Sequence, residues 1–92
     1  MPSIDWAAII AIIIPILVEK FNPSPPPIEE AREHMRNPSV FHVFKAARAA
    51  RKAAGAPRRE TPTYMRAISD RAANLTDEEC DELYAEATEA EA

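Results

Sequence analysis

The sequence predicts an all-α protein. An uninterrupted apolar run extends from Trp6 to Val18, apolar residues recur at helical spacing through much of the remainder, and capping residues or prolines punctuate the breaks. A chain of 92 residues suffices for one small domain. Chains of this size bury a modest share of their surface, so a membrane, a partner or further copies are expected to complete it. The expected order is a hydrophobic anchor or assembly helix at 1–21, a Pro-rich linker at 22–27 and a charged helical region at 28–92. That region holds three to four short amphipathic helices ending in a helical hairpin.

In the first segment Ser3 is the expected N-cap, with Asp5 in the first turn where an anion meets the positive helix end, so the helix begins near Ile4. A buried strand is the competing reading; helix is preferred because the apolar run exceeds usual strand length and Pro15 cannot donate within a central ladder. Pro15 is expected to kink the helix. The stretch NPSPPP, Asn22 to Pro27, reads as a stiff extended linker that separates this helix from everything after it. Ile28, Ala31 and Met35 then form one face of a short amphipathic helix that stops before Asn37-Pro38.

Asn37 is expected to cap a third helix, from Pro38 to Ala54, with an apolar band of Val40, Phe41, Val43, Phe44, Ala47 and Ala50 and a stop at Gly55. Thr61-Pro62 restarts a helix carrying Tyr64, Met65, Ile68 and Ala72. The last helix has the clearest start: Thr76 caps it, Glu79 completes a capping box, and Leu75 can staple onto Cys80. Cys80, Leu83, Tyr84 and Ala87 make its apolar stripe, and the short gap at Asn74 and Leu75 predicts the hairpin.

The destination of the first helix admits several readings. Rising ~1.5 Å per residue, Ile4 to Phe21 reaches about 27 Å against a hydrocarbon core of ~30 Å, short for a span but flanked by Trp6, Lys20 and Phe21 as interfacial anchors. Membrane insertion is the leading expectation, and the positive charge after the segment would keep the C-terminal region on the cytoplasmic or virion-interior side. Ala7, Ala11 and Pro15 repeat every four residues, a small-residue face that favours close helix packing, so a buried oligomer core is second. Packing within one subunit is third. A cleavable secretory signal is not expected, because Asp5 precedes the apolar core and Glu19-Lys20-Phe21 follows it.

The formal charge of −4 conceals a division. Pro38 to Arg59 holds six basic residues, Lys45, Arg48, Arg51, Lys52, Arg58 and Arg59, and no acidic one. Asn74 to Ala92 holds eight acidic residues, Asp77, Glu78, Glu79, Asp81, Glu82, Glu86, Glu89 and Glu91, and no basic one. The basic residues are expected to form a solvated face or to pair with the acidic helix of the same or a neighbouring subunit; contact with phosphates of nucleic acid or lipid is the alternative.

A single glycine cannot supply a Walker loop, a dinucleotide fingerprint or a nucleophile elbow. His34 and His42 stand outside any zinc motif, the acidic cluster after Thr76 lacks the spacing of a calcium loop, and Cys80 reads as a small buried hydrophobe. No catalytic residue, metal, cofactor or small-molecule substrate is expected.

In the order of MPSIDWAAIIAIIIPILVEKF, EEAREHMRNPSVFHVFKAARAARKA and TDEECDELYAEA, the chain resembles small uncharacterised proteins encoded in bacteriophage genomes. The resemblance is one of layout and composition; it implies a virion structural or membrane-associated role and carries over no functional residues. The expected function is a non-enzymatic structural protein that anchors or oligomerises through its first helix, with itself or other virion proteins as partners. A membrane-tethered nucleic-acid binder using residues 45–59 and a holin-like pore are the alternatives, although one short apolar segment with a long charged remainder departs from a typical holin.

Overall fold

The computed structural model describes residues 2–91 and is all-helical over them. Five α-helices follow in order: α1 (Trp6–Lys20), α2 (Ile28–Arg36), α3 (Val40–Ala53), α4 (Thr61–Ala73) and α5 (Asp77–Glu91), with a short 3-10 turn at Arg58–Glu60 between α3 and α4. The side chain of Glu91, one of the expected acidic residues, lies outside the described part.

The apolar α1 is the hub, touching all four other helices. Its Ile9, Ile13 and Leu17 are fully buried, and Ile12 and Ile16 nearly so. They meet Ala31 and Met35 of α2, Val43 and Ala47 of α3, Ile68 of α4, and Cys80, Leu83 and Ala87 of α5 in one cluster. A helix that is apolar nearly all round must be buried in protein or in lipid, and here the other four helices supply the cover. Of the readings for this helix, packing within one subunit, placed third on sequence grounds, describes its surroundings. Among the described residues no helix is long and apolar enough to cross a membrane, which overturns the expected transmembrane segment.

Asp5, not Ser3, is the N-cap of α1: its carboxylate accepts from the Ala8 N–H at 2.9 Å, and the helix begins two residues later than expected. The helix continues through Pro15, which is exposed. The carbonyl that Pro15 cannot serve belongs to Ala11, also exposed, so water can satisfy it.

The proline segment is exposed except at one point, where it is fastened to the bundle. Pro26 is buried, and its carbonyl accepts from the Tyr84 hydroxyl of α5 at 2.8 Å. Phe21 lies edge-on to the Tyr84 ring at 5.6 Å, so the end of α1 and the segment after it are both fastened to α5.

Ser39 caps α3, accepting from the His42 N–H at 3.3 Å, whereas Asn37 closes α2 by donating from its backbone and side chain to the Glu33 carbonyl. The shift from the expected start at Pro38 follows from a serine hydroxyl being available beside it to receive an orphan donor. At the far end Gly55 takes φ 68°, with its N–H on the Lys52 carbonyl and the Ala56 N–H on the Arg51 carbonyl, a complete Schellman motif.

The capping box at α5 forms as expected: Glu79 accepts from the Thr76 N–H at 2.9 Å, and Thr76 Oγ1 from the Glu79 N–H at 3.1 Å. The last two helices nevertheless make a corner, not a packed hairpin. Helix α4 lies chiefly along α3, and α5 along α1 and α2. Their apolar stripes point at different partners, so the short connection turns the chain without pairing its flanks.

Acidic α5 finds its cations on α2 and α4 rather than on basic α3. Arg32 reaches Asp81 at 2.8 Å, Arg36 reaches Asp77 at 2.6 Å and also donates to the Leu75 carbonyl, and Arg71 reaches Glu79 at 2.8 Å. The Arg36 hydrogen bond holds Asp77 below the usual carboxylate range. Arg71, helped by the Thr76 N–H, draws Glu79 from an ordinary value of 4.5 down to about 2.

Both carboxyls are more acidic folded than unfolded, so their contribution is complete above the unfolded value and is lost as pH falls toward the folded one. Urea midpoints should therefore decline between about pH 5 and about pH 2, with a shallower decline in Glu79→Gln. An unchanged profile in that variant would contradict the assignment.

Candidate interaction surface

Once the core is assembled, one side of α3 and the adjoining side of α1 remain uncovered. Along α3, Val43, Ala47 and Arg51 fall four residues apart and form the buried stripe. In the first turns of the helix Val40, Phe41 and Phe44 nevertheless stay 75%, 64% and 44% exposed. Isolated exposed apolar residues are ordinary on any protein, but three large ones within five positions of one helix form a patch. The expected apolar band of α3 is thus split: Val43 and Ala47 enter the core, and Val40, Phe41 and Phe44 face outward.

Basic residues share this outward side. Lys45, Arg48 and Lys52 are exposed, and the Lys45 ammonium sits 5.3 Å from the centre of the Phe41 ring, within cation–π range. Arg58 and Arg59 are exposed on the 3-10 turn. Arg51 is different: only 9% exposed, it donates from Nη1 to the Ala56 carbonyl at 2.9 Å, and its Nε has no partner. Its position in the core stripe lays the aliphatic stem over apolar neighbours and turns the head onto the end of its own helix. Arg51 therefore leaves the set of expected phosphate or partner contacts and becomes a structural cap.

Between α1 and α3 runs an open trough of about 440 Å³. Ala8, Ala11 and Pro15 line it from α1, and Ala46, Ala49 and Ala50 from α3, with Ile12 between them and His42 and Lys45 at the edge. A neighbouring hollow shares Ala8 and Ala50 and extends past Asp5 and Tyr64. Another shares His42 and extends past Glu19 and Pro38. At that end Ser39 Oγ lies 2.6 Å from His42 Nδ1, and His42 Nε2 lies 3.5 Å from Glu19.

The expected helix-packing residues separate accordingly. Ala7, Ala11 and Pro15 are exposed, and two of them line the trough. Phe21 is buried against Tyr84, and Trp6 is half-buried with the Arg71 guanidinium 5.7 Å from its ring centre, so neither is available as an interfacial anchor. Phe41 and Phe44 are the surface residues that sequence reasoning assigned to packing. A signal was present: Phe41 and Lys45, and Phe44 and Arg48, are four apart and share a side with the charges.

Chemically the surface offers methyl groups, exposed aromatic rings and a row of cations. Among the described residues no cluster of histidine, cysteine or acidic groups could hold a metal ion. Cys80 is fully buried, and burial pushes its thiol pKa up. Comparison with protein-family models, with curated proteins and with solved structures finds no match. The expected phage and virion assignment is withdrawn with the transmembrane one, since neither these comparisons nor the fold supplies support for it.

Proposed function

We propose that this chain is a non-catalytic interaction protein that binds another protein through the joined face of α1 and α3. The carrying observation is the alanine-lined trough between α1 and α3, with Val40, Phe41 and Phe44 exposed farther round α3, Phe44 across Lys45 and Ala49 from the trough, on a molecule whose core is complete without them. Fully burying a side chain of this size is worth about 1.5–3 kcal/mol relative to leaving it exposed. Covering these residues therefore offers a substantial return toward the cost of association. In this reading the first helix takes part as one wall of the trough rather than as an anchor.

A library of displayed amphipathic peptides, selected on the full chain, tests this reading. Selected ligands should lose about tenfold or more in affinity for a Phe41→Ser/Phe44→Ser double variant, as truncation of a central aromatic anchor does, and should be indifferent to Arg32→Ala on the far side. Ligands that bind the double variant as tightly as the parent chain would contradict it.

A second reading draws on the exposed row Lys45, Arg48 and Lys52 with Arg58 and Arg59, in a stretch free of acidic residues. It predicts nucleic-acid binding that falls steeply with salt. Protein binding is preferred because methyl-lined walls offer a phosphate backbone nothing, and Arg51 is turned away from the row.

A further inference from the structure

We infer that the occupant of the α1–α3 face is an amphipathic helix of a different protein, with bulky apolar side chains entering the trough and acidic residues alongside α3. This rests on the docking reading above and adds the chemistry of the partner. Two independent features specify it. The first is shape: Ala11, Ala46 and Ala49 keep the walls thin, and Ile12 forms an apolar floor, so a well-packed occupant must itself supply the bulk. The hollows at either end carry the trough from Asp5 to Glu19, about 21 Å at the helical rise, which suits an occupant of about four turns.

The second feature is charge. Lys45, Arg48 and Lys52, spaced three and four apart, line the outer side of α3, and no acidic residue occurs from Pro38 to Arg59. Among the described residues none of the three makes an ion pair, because the nearest abundant acids, on α5, are engaged with α2 and α4 across the molecule. Carboxylates on an incoming helix would complement this row and fix its orientation.

A second copy of this chain fits less well. A two-fold axis across the trough brings like-charged rows together, and one along it sets α3 against Ala8, Ala11 and Pro15 of α1, which supply no bulk. A neighbour's α5 brings acids without an apolar edge, since Cys80, Leu83 and Ala87 are buried in its own core. Acid and bulk on one exposed helix must come from elsewhere.

The test uses the full chain and two synthetic helical peptides of about sixteen residues. Both carry leucines on one edge; one has glutamates on the flank and the other lysines in the same places. Fluorescence anisotropy should show the glutamate peptide binding at least about tenfold more tightly at low salt, with the gap narrowing as salt rises. Amide shifts should map to Ala11, Ala46 and Ala49. Ala49→Glu, an exposed position, should abolish binding, and Lys45→Glu with Arg48→Glu should reverse the preference.

Equal binding of both peptides, still lost in Ala49→Glu, would overturn the acidic partner and leave the docking face standing. Failure of both peptides, or shifts elsewhere on the molecule, would overturn the inference and the docking reading together. Concentration-dependent self-association mapping to the trough would assign it to a second copy and overturn the inference. So would nucleic acid displacing the glutamate peptide from the same residues at physiological salt.

Discussion

A chain beginning at Asn22 is expected not to fold. Removing α1 takes away Ile9, Ile12, Ile13, Ile16 and Leu17, the centre of the cluster that α2, α3, α4 and α5 share. Each such side chain contributes about 1.5–3 kcal/mol on burial, and five of them rival the roughly 5–15 kcal/mol by which whole domains are stable. The remaining helices are short and would retain little structure alone, because most helical stability in proteins comes from packing of the apolar face. Circular dichroism and amide-shift dispersion should both collapse. A truncated chain that kept its helicity and unfolded cooperatively would show that α1 is an appendage.

Leu83→Ala should weaken the fold strongly without abolishing it. Leu83 is fully buried on α5, the helix that packs most extensively on α1, and cavity formation at such a site costs about 2–5 kcal/mol. The informative comparison is Phe44→Ala. Although phenylalanine is the larger side chain, Phe44 is 44% exposed, and its loss should lower stability much less than that of Leu83. Urea midpoints of the two variants should differ widely; near-equal losses would mean that Phe44 belongs to the core.

Most helices were legible in the sequence because their local chemistry is strong. The Thr76–Glu79 capping box, the Gly55 stop and the Asn37-Pro38 break each act within a few residues, and α2, α4 and α5 begin and end close to where these signals place them. What the helices do with one another was less legible. An apolar cylinder satisfies lipid and a surrounding bundle equally, and nothing local to Trp6–Val18 distinguishes them.

The difference lies in the remote stripes: Ala31 with Met35, Cys80 with Leu83 and Ala87, and Val43 with Ala47. Only when summed do they provide enough apolar surface to enclose α1. The hairpin expectation failed for the same reason. Loop length limits adjacency, but the direction of the apolar stripes decides pairing.

The candidate site was read in halves. Ala11, Pro15, Lys45, Arg48 and Lys52 were singled out; the fold brings Ala11, Pro15 and Lys45 to the trough and leaves Arg48 and Lys52 on the next hollow of α3, which shares Lys45. Arg51 was misplaced because charge outweighed position: Val43, Ala47 and Arg51 keep a spacing of four, and that spacing carries the arginine into the buried stripe. Phe41 and Phe44, expected on one apolar band with Val43 and Ala47, lie exposed while those two are buried. For Arg51 helical phase was the better guide than residue type.

Helix α1 has a side that builds the core and a side that stays open. Ala11 and Ile13 are two residues apart on that helix, the first exposed and the second fully buried. Urea unfolding of Ala11→Lys and Ile13→Lys measures both sides at once. Ala11→Lys should stay within about 0.5 kcal/mol of the parent chain, as exposed substitutions do, whereas Ile13→Lys, which buries an unpaired charge, should leave no cooperative transition. Comparable stability of the two variants, or collapse of both, would contradict this division of α1.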